Sequence, residues 1–315
     1  MKPLAMRDVL LEKIWQEMSL DSLIFFVSAD FGSPVLDKIR RDFPDRFINV
    51  GIAEQNLINI TAGLAIEGYK VFAYAIAPFI TMRCYEQIRV SLALLSEVRP
   101  MNVNLIGVGA GYSYVVSGPT HQCYEDITIM RALPNFQVLS PADHVTTSSL
   151  FEDCVTTNGL RYFRLDAQVQ PVLYTLDLPS TTDGFHFHQK GEKVCFIATG
   201  FMTHTAFKVA EEINKIGFKV GIIDIFNLTN FSKEGLKKVL ESYLAIVSFE
   251  EGFRGRGGLD SMLFEFIAES KLNLKTLSIG VDPGYSFELG SRNELHEKVG
   301  IGVQSAFKKI QPFVR

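Results

Sequence analysis

The chain has 315 residues, 47% of them hydrophobic, enough for two compact domains or one large one. Its 31 basic and 35 acidic residues give a formal charge of -4 with no concentrated basic tract, which argues against a nucleic-acid-binding surface. No apolar run approaches bilayer length, and Cys84, Cys123, Cys154 and Cys195 form no CxxC pair, so a soluble cytoplasmic protein with reduced thiols and no membrane role is the expectation.

The first 22 residues mix acidic and apolar positions and predict an amphipathic helix rather than a signal peptide. Short apolar runs then predict strands at 23–28, 47–50, 71–76, 101–107, 136–139 and 162–165. Between them, Ala53, Leu57, Ile60 and Leu64 recur at helical spacing, and 85–95 offers another helix. Buried strands joined by helices predict an α/β fold with a mostly parallel sheet.

The stretch 170–192 is polar, holds Pro171, Pro179, Gly184 and two isolated histidines, and reads as a connector. A second α/β pattern follows, with strands at 193–198, 219–225, 245–249 and 274–279, a helix around 207–216 and a final helix over 294–310. The expected organisation is a first domain at 1–172, a linker at 173–192 and a second domain at 193–315.

Two segments carry candidate chemistry. In 49–74, Val50-Gly51 ends a strand and Glu54 falls in the opening turn of the next helix. There a carboxylate sits near the positive helix end, at the ligand-binding edge of a parallel sheet. The plainer alternative is an exposed acid favoured at a helix start. In 108–126, glycines permit tight turns and Pro119 restrains the approach to His121. A histidine on such a loop exchanges protons or binds an oxyanion near neutral pH, or it is a satisfied structural residue. Neither segment contains a P-loop or a GxGxxG fingerprint.

Taken in order, the words GIAEQ at 51–55, GLA at 63–65, GPTHQ at 118–122, LPN at 133–135 and PAD at 141–143 resemble the transketolase and 1-deoxyxylulose-5-phosphate synthase superfamily. The likeness is to split transketolases, whose catalytic regions occupy separate chains, and it extends over nearly the whole sequence. It implies a pyrimidine-binding domain followed by a transketolase-type C-terminal α/β domain. Glu54 then matches the glutamate that hydrogen-bonds N1' of thiamine diphosphate and favours its imino form. Phe79 resembles the aromatic residue packed on the aminopyrimidine, and Asp30 resembles a pocket-lining acid. His121 matches the histidine that contacts donor oxygens. Arg164, in RYFRLD, resembles an arginine near the outer substrate channel, where a planar fork of donors suits phosphate.

The sequence departs from the family where substrate is met. Ser117 stands where an acid usually precedes GPTHQ and often contacts a donor hydroxyl. The histidine or arginine usual near Gly109-Ala110 is absent, and Ala167 replaces the second arginine of the synthase-type pattern. These changes open the possibility of a weakly charged, differently phosphorylated or unphosphorylated acceptor.

We find no GDG segment followed by asparagine, the mark of the family's diphosphate-binding domain, and the first strand begins by about residue 25. The resemblance therefore implies a separate α subunit, an α2β2 assembly, and Mg2+ held mainly by that partner. The glycine-rich 249–258 segment, with Arg254 and Arg256, is expected to serve assembly and packing. The leading expectation is a β subunit that transfers a two-carbon ketol unit between sugars or sugar phosphates. Alternatives are a deoxyxylulose-phosphate-synthase-like or other acyloin-forming enzyme, the β subunit of a 2-oxoacid dehydrogenase E1 component, and a non-catalytic scaffold.

Overall fold

A computed structural model describes residues 2–174 and 180–314. The part of the expected linker at 175–179, with Pro179, lies outside the described residues. Helix α1 (Met6–Leu20) buries Met6, Leu10, Ile14 and Met18, residues four apart that form one stripe on the helix.

The first sheet contains β1 (Ile24–Ser28), β2 (Phe47–Asn49), β3 (Lys70–Ile76), β4 (Asn102–Val108), β5 (Phe136–Leu139) and β6 (Gly159–Leu165). All pairings are parallel, in the order β2-β1-β3-β4-β6-β5. Alternation along the strands feeds two separate cores. Phe72, Tyr74, Ile106, Val108, Phe163 and Leu165 face the α1 side, whereas Val71, Ala73, Val103, Leu105, Leu160 and Tyr162 face the other. Both faces are covered, which is why these strands read as nearly continuous apolar runs. Helix α2 (Pro34–Asp42) follows β1, and helix α3 (Glu54–Ile66) follows β2. The chain runs from β1 outward to β2, then crosses to β3 on the other side of β1; such a reversal opens a crevice at the carboxyl ends of the strands.

The helix expected over 85–95 is irregular. A π-helical turn, Phe79–Arg83, leads into one α turn, Tyr85–Gln87, and then a π-helical stretch, Ile88–Leu94.

The second sheet is β11-β10-β8-β9-β7, built from β7 (Phe185–Gln189), β8 (Val194–Ala198), β9 (Gly221–Ile225), β10 (Ala245–Phe253) and β11 (Lys275–Val281). Four of these strands are parallel; β7 pairs antiparallel to β9. Strand β7 corrects the reading of 173–192 as connector alone. Only Phe185 of β7 is buried, so this edge strand shows no apolar run. Its histidines are held by rings, with Tyr174 5.1 Å from His186 and 4.9 Å from His188. Burial pushes the His188 imidazole down to about 3, so it packs there as a neutral ring.

The final helix is also corrected. It is two helices, Arg292–Lys298 and Val303–Val314, separated at Gly300, whose φ of 80° is left-handed.

The two sheets share an apolar interior. Ile223, Ile225, Leu236, Leu259, Met262 and Phe266 of the second domain belong to the same core as Val103, Val138 and Leu160 of the first. Main-chain bonds stitch the seam, from Ser140 N to Phe226 O at 2.8 Å and from Leu228 N to Val138 O at 2.8 Å. Among the described residues, no helix is long and apolar enough to cross a membrane.

Candidate functional site

Four segments leaving the carboxyl ends of β1, β2, β3 and β4 carry Asp30, Glu54, Phe79 and His121. Glu54 is the first residue of α3 and is 3% exposed, so it is not the exposed helix-start acid of the plainer alternative. The approach to it is a tight turn at Gly51, with φ 73°. Asn49 fixes that turn. Its Oδ1 accepts from Gly51 N at 3.0 Å and from Asp30 N at 3.2 Å, and its Nδ2 donates to Asp30 Oδ1 at 2.9 Å. Asp30 adopts φ 52°, a left-handed conformation that aspartate tolerates better than most side chains. It is exposed, and it reaches the Glu54 segment only through Asn49.

Phe79 opens the π-helical turn that Arg83 closes. The Arg83 guanidinium lies 4.3 Å from the Phe79 ring centroid, and its Nη1 donates to Glu54 Oε2 at 2.8 Å. On another side of Phe79 the His121 ring stands edge-on, with centroids 5.2 Å apart and planes at 71°. Tyr114 lies 6.4 Å from His121, and Thr120 Oγ1 is 3.0 Å from His121 Nδ1. A Cβ at Gly109, whose φ is 109°, would run into the Tyr114 ring, so glycine lets that ring lie against the backbone. Burial pushes the Tyr114 hydroxyl up to about 12, leaving it neutral. Beneath the π turn, burial and then the Glu54 charge push the Cys84 thiol up to about 12, which makes it inert.

Glu54, Phe79 and His121 are therefore brought together, with Arg83 bridging the first two. Ser117 is exposed on the His121 loop, and its carbonyl accepts from Thr120 Oγ1 at 3.5 Å.

Arg164 is the correction. It is 3% exposed, its Nε donates to Asp126 Oδ2 at 2.9 Å, and its Nη2 donates to the carbonyls of Cys123 (3.4 Å) and Glu251 (3.3 Å). The guanidinium is consumed inside the protein, with no face left for a substrate phosphate in this arrangement.

Sequence reasoning missed Asn49 and Arg83. Asn49 immediately precedes the strand-ending Val50-Gly51, a place where an amide often braces a turn. Arg83 lies four residues after Phe79, and only the helical geometry returns it over the ring.

The His121 loop is anchored to the second domain. Glu251, buried on β10, accepts from Tyr112 N at 3.3 Å, His296 Nε2 at 2.7 Å, and Arg292 Nε and Nη2 at 2.9 and 2.6 Å. Burial alone would raise this carboxyl; Arg292 and His296 instead hold it well below the usual carboxylate range. Its neighbour Glu250 caps the helix Leu259–Ser270 by accepting from the amides of Leu259 and Asp260, each at 3.0 Å. Arg254 pairs with Asp282. Thus 249–258 is packed through its acids. Among the described residues, no group of three or more His, Cys, Asp or Glu is arranged to hold a metal.

A half-buried aromatic face and a buried carboxylate, close enough for one guanidinium to touch both, fit a flat heterocycle with a polar nitrogen edge. An aminopyrimidine is such a ring.

Comparison with known proteins agrees with this chemistry. Residues 2–170 match the family model described as transketolase, pyrimidine binding domain, and residues 185–305 match transketolase, C-terminal domain. One of the two subunits of an apulose-4-phosphate transketolase from Actinobacillus succinogenes is 29% identical over 267 residues, covering 84% of each chain. A 6-deoxy-6-sulfo-D-fructose transketolase subunit from a Clostridium species is 26% identical over 297 residues, covering 94% of this chain and 90% of the relative. A solved split-gene transketolase, described as an inactive β4 tetramer, superposes with a TM-score of 0.84 at 27% identity, covering 99% of this chain and 98% of that one.

The fold is that of a thiamine-diphosphate-binding pyrimidine domain joined to a second α/β domain. The chain belongs to the transketolase family, with the β-subunit architecture of the split transketolases.

Proposed function

We propose that this chain is the β subunit of a thiamine-diphosphate-dependent enzyme that transfers a two-carbon ketol unit between sugars or sugar phosphates, and that it acts only when assembled with an α subunit carrying the diphosphate and its Mg2+. The observation that carries the reading is the cluster of Glu54, Phe79 and His121 at the carboxyl ends of β2, β3 and β4. When bound, thiamine diphosphate supplies a nucleophilic carbanion that attacks a ketone and stores the electron pair after carbon–carbon cleavage.

This chain's residues do the rest of the work assigned to it. Glu54, fixed at the start of α3, receives the hydrogen bond of the pyrimidine N1' and holds that ring in register. Phe79 gives the ring a flat apolar seat and keeps water from one face. His121, supported at Nδ1 by Thr120, presents Nε2 to the oxygens of the sugar donor and holds or moves a proton there. Ser117 meets a donor hydroxyl through a neutral side chain instead of a carboxylate.

The buried state of Arg164 bears on the acceptor. Relatives are named for a sugar phosphate and a sulfosugar, both anionic. In the proposed enzyme, contact with such an anion comes from a group other than Arg164. Asp30 lines the pocket rim, held there by Asn49.

The test is calorimetric titration of thiamine diphosphate with magnesium into this chain alone and into its mixture with the candidate α chain. Tight binding in the mixture alone is the expected result. Absence of binding in a demonstrably assembled mixture overturns the proposal in favour of a scaffold.

A further inference from the structure

We propose that Arg83 is a further side chain of the cofactor site: a placeholder that holds Glu54 and Phe79 in their working geometry and is displaced when the pyrimidine ring enters. The inference rests on the assignment of Glu54 and Phe79 to that ring.

The geometry is specific. Arg83 makes two contacts, a face-on approach to the Phe79 ring at 4.3 Å and a donated hydrogen bond to Glu54 Oε2 at 2.8 Å. These are the same two features, an aromatic face and a carboxylate, that the proposed function gives to the aminopyrimidine. A guanidinium and an aminopyrimidine are both flat, and both present N–H groups along one edge. Each satisfies the pair, and the side of Phe79 toward His121 is occupied by the imidazole edge.

Arg83 is also built to leave. Its backbone is held, because its carbonyl accepts from Gln55 Nε2 at 3.3 Å, while its side chain is 44% exposed. Ion pairs that open to water are weak, and an arginine has the length and freedom to swing out without disturbing the main chain. Glu54, by contrast, is 3% exposed and fixed at a helix start. A buried carboxylate left without a partner is costly, so a removable cation keeps it folded inward until the ring arrives. The π-helical turn makes this possible by carrying Arg83 back over the residue that opens it.

The test uses the assembled α/β complex. Thiamine diphosphate with magnesium is titrated calorimetrically into the wild-type complex and into complexes carrying Arg83→Met or Arg83→Gln. Removing the competitor tightens cofactor binding, with Kd about fivefold lower in both variants, the scale of one exposed ion pair. An unchanged or weaker affinity in both overturns the placeholder. Glu54→Gln distinguishes failure of the placeholder from failure of the pyrimidine assignment. If it binds cofactor and turns over as the wild type does, the pyrimidine assignment falls, and the placeholder falls with it. If it is impaired while the Arg83 variants bind no tighter, only the placeholder falls.

Discussion

Arg164 and Asp126 form an ion pair of 2.9 Å in which neither side chain reaches solvent. Tyr162 donates to the same Asp126 oxygen at 2.8 Å, so the carboxylate serves two partners inside the first domain. Burial acts against the Arg164 charge, but Asp126 and Glu251 more than compensate and hold it firmly protonated.

Arg164→Met consequently strands a buried carboxylate. Stability is expected to fall by about 3–5 kcal/mol, the usual result of breaking a buried pair from one side. Urea unfolding measures this. A variant as stable as the wild type, with a raised KM for a phosphorylated acceptor, would restore Arg164 to the substrate site.

Glu54→Ala removes the carboxylate assigned to the cofactor ring. Turnover of the reconstituted complex is expected to drop about 100-fold or more, the range of a positioned proton-transfer group. The half-exposed bond to Arg83 contributes at most about 1 kcal/mol, so the melting temperature stays close to that of the wild type. Undiminished turnover would remove Glu54 from the mechanism.

His121→Ala is expected to lower kcat/KM for the sugar donor about 100-fold while leaving cofactor affinity nearly unchanged. Its ring contacts are with Phe79 and Tyr114 at the edge of the site, so the fold survives. Steady-state kinetics with the donor varied, alongside cofactor calorimetry, checks the split. Equal donor kinetics in variant and wild type would contradict the role.

Asp224 gives a prediction in pH. Its carboxyl is buried between Tyr174 Oη at 2.6 Å and Thr203 Oγ1 at 3.0 Å, and burial pushes it up to about 7. An unfolded aspartate titrates near about 3.9. The folded value is the higher one, so the stability it gives is fully present below about pH 3.9 and is lost as pH rises through about 7. Asp224→Asn removes this loss, and its stability relative to the wild type should rise from pH 5 to pH 8. Urea unfolding at those two values decides it; a constant difference would mean that Asp224 does not titrate in that window.

Local pattern explains what the sequence made legible. Strand β5 was readable to the residue because its apolar run is short and bounded by Asn135 and Ser140. Glu54 was readable because a helix start follows a strand-ending Val50-Gly51. Strand β7 was hidden because an antiparallel edge with histidines packed on Tyr174 carries no apolar signature. The break at Gly300 was hidden because apolar positions continue on both sides of it. For the site, chain order revealed residue types but not partners. Asp126 and Arg164 meet across 38 positions, and Arg83 meets Glu54 across 29. Such pairings belong to the tertiary fold.

The attachment of Tyr112 to Glu251 makes the second domain part of the machinery without giving it any chemistry. The loop bearing His121 is tethered at one end to β4 and at Tyr112 to a clasp of Arg292, Glu251 and His296. A subunit gripping the C-terminal domain therefore transmits its load to the imidazole along this tether. Severing the chain near residue 172 would slacken it, leaving the pyrimidine domain with its catalytic side chains but with His121 no longer held to position.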